Sequence, residues 1–207
     1  PGWEKLIAEE GRTSFVKSEA EIVERIDPSK SDGIINFEEF KFFTGIINPS
    51  FEGCKTLKTI TLPSNITNSI TENGNRIYGI PDRMFYNCTA LERVELDTGF
   101  KGGQFIVGNS AFGCKYSSTS LNESITENDL SHLNYIGFSK YITTVGIESF
   151  KNCVALKSIE LPNCVDIGSG AFYTCLKLSK IEITDLVTSN GSSAFWSCSS
   201  STSFKMP

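Results

Sequence analysis

Histidine is almost missing: His132 is the only one in 207 residues. That excludes any site needing two or three His ligands, the two-histidine zinc helix included. A Ser–His–Asp device would have to use His132. It stands in an irregular, serine-rich stretch with no nucleophile-elbow sequence nearby, and a polar surface residue is the plainer reading. No run of 18 apolar residues occurs, so no segment reads as a membrane-spanning helix. Positive charge is not in excess either. The formal net charge of −5 leaves no basic footprint for nucleic acid. No signal peptide is read at Pro1, and this does not by itself place the chain in the cytosol.

What remains is a globular composition, 39% hydrophobic and 21% charged, long enough to bury a core as one large domain or two small ones. Seven cysteines suggest disulfides at first, but the number is odd. Their placement decides the matter, because the chain repeats. Phe150-Lys-Asn-Cys153-Val-Ala-Leu156-Lys-Ser-Ile159-Glu-Leu161-Pro162 leads into Ile167-Gly168-Ser-Gly-Ala171-Phe172, where the unit restarts. It restarts again at Ala194-Phe195. The step from Phe150 to Phe172 is 22 residues and from Phe172 to Phe195 is 23.

Earlier copies begin at Phe51, Phe85 and Phe112, the last with a shortened Phe112-Gly-Cys114. Their steps of 34, 27 and 38 residues locate inserts near 64–79, 97–105 and 115–130. Inserts confined to single copies read as loops on a stack of repeats.

The unit has a physical logic. Leu-x-x-Ile-x-Leu puts two apolar residues on one side of a strand, with the residue between them facing out. Proline or a polar residue then ends the strand. Ile/Val-Gly-x-x-Ala-Phe makes a second short strand and a turn. Phe-x-x-Cys reads as one helical or 3-10 turn that buries both side chains. A single unit cannot bury its apolar side, but stacked units can. Cys54, Cys88, Cys114, Cys153, Cys175 and Cys198 share one repeat position, so they form an inner column of small buried free thiols. Cys164 lies outside that register and reads as a free thiol as well.

The pattern Ala-Phe-x-x-Cys-x-x-Leu-x-x-Ile-x-Leu-Pro, with a period near 23, resembles the BspA-type leucine-rich repeat family over Phe51–Pro207. The resemblance implies an α/β leucine-rich-repeat solenoid of short parallel strands joined by short helical or 3-10 turns. It also implies a surface or secreted protein of a host-associated bacterium or protist, with adhesion or ligand binding and no enzymatic activity or cofactor. Bacterial members are usually exported, often through a lipid anchor. This chain departs from the pattern in its inserts, in the short Phe112-x-Cys114 step, and at Ser201, which replaces the repeat leucine before Phe204.

Residues 1–45 carry no repeat and are expected to form a small helical N-terminal cap on a solenoid spanning 46–207, because an end coil exposes its apolar side. Trp3–Glu10 and Ser18–Ile26 have helical spacing. Asp32-Gly33-Ile34-Ile35-Asn36-Phe37-Glu38-Glu39 resembles the second half of an EF-hand loop, with Asp32 and Glu39 as its candidate calcium residues. The first half fails, since Pro28 and Lys30 occupy ligand positions. The alternative is a turn leading into a strand and a short helix.

On a repeat scaffold, recognition lies on outward positions and inserts. Two outward columns run side by side: Thr59, Arg93, Tyr135, Ser158, Lys180, Ser203, and Thr61, Glu95, Gly137, Glu160, Glu182, Lys205. They read either as a solvated face of self-compensating charge or as a weakly acidic partner face around Arg93, Glu95 and Tyr135. The residue after each repeat Phe gives a further column, in which Tyr173 and Trp196 sit on adjacent coils and suit a sugar or protein partner. Three functions follow: an extracellular module binding host protein or glycan, a structural spacer in a larger surface protein, and a calcium-dependent binder using the Asp32–Glu39 turn. A thiol hydrolase using Cys164 has no support in the spacing.

Overall fold

The computed structural model describes residues 34–43, 46, 49–70, 74–115, 130–198 and 203–205. Each complete repeat supplies one strand to each of two walls. In the first wall Ile60 and Leu62, Ile159 and Leu161, and Ile181 and Ile183 are buried, while the residues between them face outward. This is the alternation that Ile-x-Leu dictates.

The first wall comprises two ladders. One has the order β1(Asn36–Phe37)–β2(Thr59–Leu62)–β5(Arg93–Leu96)–β7(Tyr135–Ile136), all parallel. The other is β9(Ser158–Leu161)–β11(Lys180–Ile183)–β13(Ser203–Lys205), also parallel. The second wall is a six-stranded sheet: β3(Thr67–Ile70), β4(Arg76–Ile80), β6(Phe105–Val107), β8(Thr144–Val145), β10(Asp166–Ile167) and β12(Ser189–Asn190). Its strands are parallel except β3, which pairs antiparallel with β4. The insert near 64–79 therefore folds as a hairpin that extends this wall at its edge.

The core between the walls is a column of rings. Phe51, Phe85, Phe112, Phe150, Phe172 and Phe195 stack in sequence, with centroids 5.2–5.6 Å apart and ring planes within 12° of parallel. Coil spacing near 4.8 Å sets that separation, so each repeat supplies one ring at one height. Beside it the thiols reach across coils: Cys88 donates to the carbonyl of Phe51 at 2.9 Å, Cys153 to Phe112 at 3.3 Å, Cys175 to Phe150 at 3.1 Å and Cys198 to Phe172 at 3.2 Å. Cys114, one residue nearer its Phe, stands 3.9 Å from the carbonyl of Phe112 in its own coil and also bonds with Ser131. All seven cysteines are buried and free.

The segments expected as helices at 3–10 and 18–26 lie outside the described residues. In the described part of 1–45, β1 is followed by a 3-10 helix, Glu38–Phe42, which is the strand and short helix of the alternative reading given for the Asp32–Glu39 turn. It joins the stack directly: Thr59 N donates to the Ile35 carbonyl at 3.2 Å, and Phe37, Phe40 and Phe43 pack against one another, with Phe37 and Phe40 edge-on to Phe51.

Phe-x-x-Cys, expected as one helical or 3-10 turn, is closed by an i→i+3 bond, as from Cys153 N to the Phe150 carbonyl at 3.0 Å, but it is a single turn and not a helix. It is a bent turn with left-handed residues two positions before or after the Phe: Arg83, Asn87, Ser110, Glu148, Asn152, Thr174, Ser193 and Ser197, all with φ between 52° and 62°. The left-handed residues let these turns bond to the next coil, as from Phe150 N to the Ala171 carbonyl at 2.8 Å and Asn152 N to the Tyr173 carbonyl at 2.8 Å. An i→i+4 helix would use those groups internally.

The insert near 97–105 supplies Phe100, which packs edge-on against Tyr78, Phe105 and Tyr141 at 5.0–5.7 Å. Of the insert near 115–130, only Lys115 and Leu130 are described.

Candidate functional site

The outward columns of the first wall stand in the expected register. Thr59 is opposite Arg93, Arg93 opposite Tyr135, Thr61 opposite Glu95, and Glu160 opposite Glu182. They do not form one continuous face. Among the described residues no ladder joins β7 to β9. After Phe138 the chain turns into a 3-10 helix, Ser139–Tyr141, which packs against β9. The coils on either side of the break remain joined by β8 and β10 in the second wall and by the Phe112–Phe150 stack. The candidate residues thus form two patches.

In the first patch the Arg93 guanidinium lies over the Tyr135 ring, 3.8 Å from its centroid, and pairs with the Glu95 carboxylate two residues along the same strand. Gly137 makes this possible: a Cβ there would meet Glu95 Oε2 at 1.8 Å. The glycine gap in the outward column is therefore the seat of the Glu95 carboxylate. Tyr135 remains 40% exposed although Arg93 covers one face. The result is an amphipathic surface, aromatic and cationic in the middle and acidic at one side.

In the second patch Lys180 bridges Glu182 on its own strand at 3.0 Å and Glu160 on the preceding coil at 3.1 Å. Hydrogen bonds to Glu182 and then Glu160 raise the Lys180 pKa. All three side chains are exposed, so water screens these pairs heavily.

The column after the repeat Phe carries a similar motif. Arg83 lies over the Tyr86 ring at 3.9 Å and pairs with Glu52 of the preceding coil, through Nε to Oε2 at 3.1 Å. The bond to Glu52 raises the Arg83 pKa. Lys151 pairs with Glu148 at 2.6 Å and stands 5.7 Å from the Tyr173 ring. Among the described residues Trp196 is the most exposed large apolar side chain, at 62%, and no ring contact joins it to Tyr173.

The remaining candidates have structural surroundings. Asp32 lies outside the described residues, and Glu39 sits in the 3-10 helix Glu38–Phe42. No group of three His, Cys, Asp or Glu side chains able to hold a metal stands among the described residues. His132 Nδ1 is 2.9 Å from the Thr89 carbonyl. The Cys164 thiol is buried, donates to the Asp166 carbonyl at 3.3 Å, and is pushed by burial to a pKa of about 11. Burial likewise pushes Cys114 to about 11 and Cys153 and Cys175 upward. Buried neutral thiols make poor nucleophiles, since the thiolate is the attacking form.

Sequence reasoning missed a groove of about 340 Å³ along the outer side of the six-stranded wall. Its floor holds Gly108, Gly146 and Gly168, from three successive coils. The signal was present as the recurring Ile/Val-Gly step, which reads equally well as a bend.

A model of the BspA-type leucine-rich repeat region matches residues 30–73, 68–130 and 128–207, in six copies. The chain belongs to the BspA-type leucine-rich repeat family. A leucine-rich repeat protein of Bacteroides ovatus has a similar solved structure, with 24% identity and a TM-score of 0.58 over 90% of this chain and 40% of that one. A leucine-rich cell surface protein of Faecalibacterium prausnitzii is similar at 24% identity and a TM-score of 0.44, over 81% of this chain and 46% of that one. This BspA-type chain thus spans less than half the length of either solved relative. A comparison with curated proteins gives no match.

Proposed function

We propose that this BspA-type chain is a non-enzymatic binding module of the cell surface or extracellular space, recognising a host protein or glycan through the outward residues of its stacked coils. The observation that carries the reading is the Arg93–Tyr135–Glu95 patch. Arg93 is held over an exposed ring at 3.8 Å and fixed by Glu95, so its geometry is set before any partner arrives. Preorganised Arg and Tyr side chains lose little entropy on binding and are enriched among residues that dominate interfaces. The backbone beneath is consumed by the parallel ladders on both sides of β5, which makes the platform rigid. Lys180 with Glu160 and Glu182, and the Tyr173 and Trp196 edge, are further contact points of the same module.

A structural spacer within a larger surface protein is the second reading. It is favoured by the internal pairing of charge, since Lys180 is already satisfied by two carboxylates. A screen of the intact chain against host-matrix proteins and a glycan array, with calcium and with chelator, tests both. A saturable hit supports the module, and chelator sensitivity would bring back the Asp32–Glu39 turn. A blank screen under both conditions leaves the spacer.

A further inference from the structure

We infer that the glycine-floored groove of the six-stranded wall binds an extended basic peptide segment, lying obliquely across the stack with cationic side chains at positions i and i+4 and an apolar side chain at i+2. The inference rests on the reading of the chain as a binding module and assigns it a second surface, opposite in character to the Arg93 patch.

The floor is bare because nothing larger fits. A Cβ at Gly108 would meet the Ile80 carbonyl at 2.8 Å, at Gly146 the Val107 carbonyl at 2.7 Å, and at Gly168 the Ile147 amide nitrogen at 2.6 Å. The close approach of coils that demands glycine also leaves an open trough of about 340 Å³ above it. One wall is fixed by a relay between coils. Asp82 Oδ1 accepts from Asn109 N at 2.7 Å, and Asn109 Oδ1 accepts from Ile147 N at 2.8 Å. The facing wall is the outward register column Ile106, Thr144, Asp166.

Charge selects the occupant. Asp82 and Asp166 line the groove, and among the described residues no Lys, Arg or His does. The chain as a whole carries −5, which further favours a cationic partner. The Asp82 carboxylate reaches the Asn109 coil, two strand steps or about 10 Å along the stack from Asp166, and stands three register positions, about 10 Å, to the side, so the two carboxylates lie about 14 Å apart obliquely across the groove. An extended peptide covers about 13 Å in four residues, and its side chains at i, i+2 and i+4 share one face. Between the carboxylates Ile147 is 53% exposed and Ile106 half-buried, an aliphatic middle for the i+2 side chain. The groove holds no aromatic ring on which a sugar would stack.

The test is fluorescence anisotropy of labelled Ser-Lys-Ser-Leu-Ser-Lys-Ser against Ser-Lys-Lys-Leu-Ser-Ser-Ser, which has the same charge and the wrong spacing. The spaced peptide should bind at least ten-fold tighter, and its affinity should fall with added salt. Asp166→Asn and Thr144→Lys should each weaken it at least ten-fold, while Lys177→Ala, at an exposed residue away from the groove, leaves it unchanged. Equal binding of both peptides, or indifference to Asp166→Asn, overturns the inference. So does binding of chitohexaose that Thr144→Lys abolishes while the peptides stay inert. If the array finds a partner of the Arg93 patch and the peptides fail, only this inference is lost.

Discussion

Phe150 and Phe172 lie face to face across successive coils, with ring centroids 5.2 Å apart and planes within 1° of parallel. Each ring is fully buried, and each is also the neighbour of another ring on its far side. Removing one ring therefore opens a cavity between two others rather than a dent at the surface. Phe150→Ala should cost about 3–5 kcal/mol, and Phe150→Leu clearly less. Urea denaturation followed by circular dichroism measures both. A loss below about 1 kcal/mol for the alanine variant would show that the ring column is not what holds the coils together.

The buried thiols make a pH prediction. Burial raises the Cys114 and Cys164 pKa from 9.0 to about 11. A raised folded-state pKa means that the native state holds its proton more tightly than the unfolded chain. That contribution is fully present below pH 9 and is lost as pH rises through about 11. Stability should therefore be level from pH 7 to about 8.5 and fall steadily beyond, and a thiol reagent at pH 8 should modify the cysteines only after unfolding. Fast labelling of native protein would contradict the burial.

Ser149 occupies the repeat position filled by Ala111, Ala171 and Ala194 in other copies. It is fully buried, and its hydroxyl has no hydrogen-bond partner. Ser149→Ala should stabilise the protein by about 1 kcal/mol by removing an unsatisfied polar group. Ser193, exposed and left-handed at φ 57°, should gain a similar amount on substitution by glycine. Thermal melts of the two single variants and their double test whether the gains add.

Gly146→Ala should behave oppositely. The new Cβ would meet the Gly108 carbonyl carbon and the Val107 carbonyl oxygen at 2.7 Å, backbone atoms that cannot swing aside. A loss of about 1–3 kcal/mol is expected from forcing the coils apart. An unchanged melt would mean that the groove floor is looser than its geometry indicates.

The strand register was legible in the residues because Ile-x-Leu has a period of two and only one side can be apolar. Arg93 therefore falls opposite Tyr135 as the columns require. The inner position of the cysteines followed from their shared repeat position. The break between β7 and β9 was not legible, because it depends on the 3-10 helix Ser139–Tyr141, which lacks a distinctive local pattern. The left-handed turns were marked only at Gly53 and Gly170, because residues such as Thr174, Glu148 and Arg83 fill the equivalent positions in other copies. The same holds for the candidate site. Nothing in the outward column marks Gly137 as the space in which Glu95 lies.

The decisive measurement is a titration of the strongest partner from the matrix-protein and glycan screen against the parent chain and the Arg93→Ala, Tyr135→Ala double variant, with circular dichroism melts of both. The patch predicts at least a ten-fold rise in Kd, about 1.4 kcal/mol, with a fold that still melts cooperatively. An unchanged Kd in a folded double variant would contradict recognition by the Arg93–Tyr135–Glu95 surface.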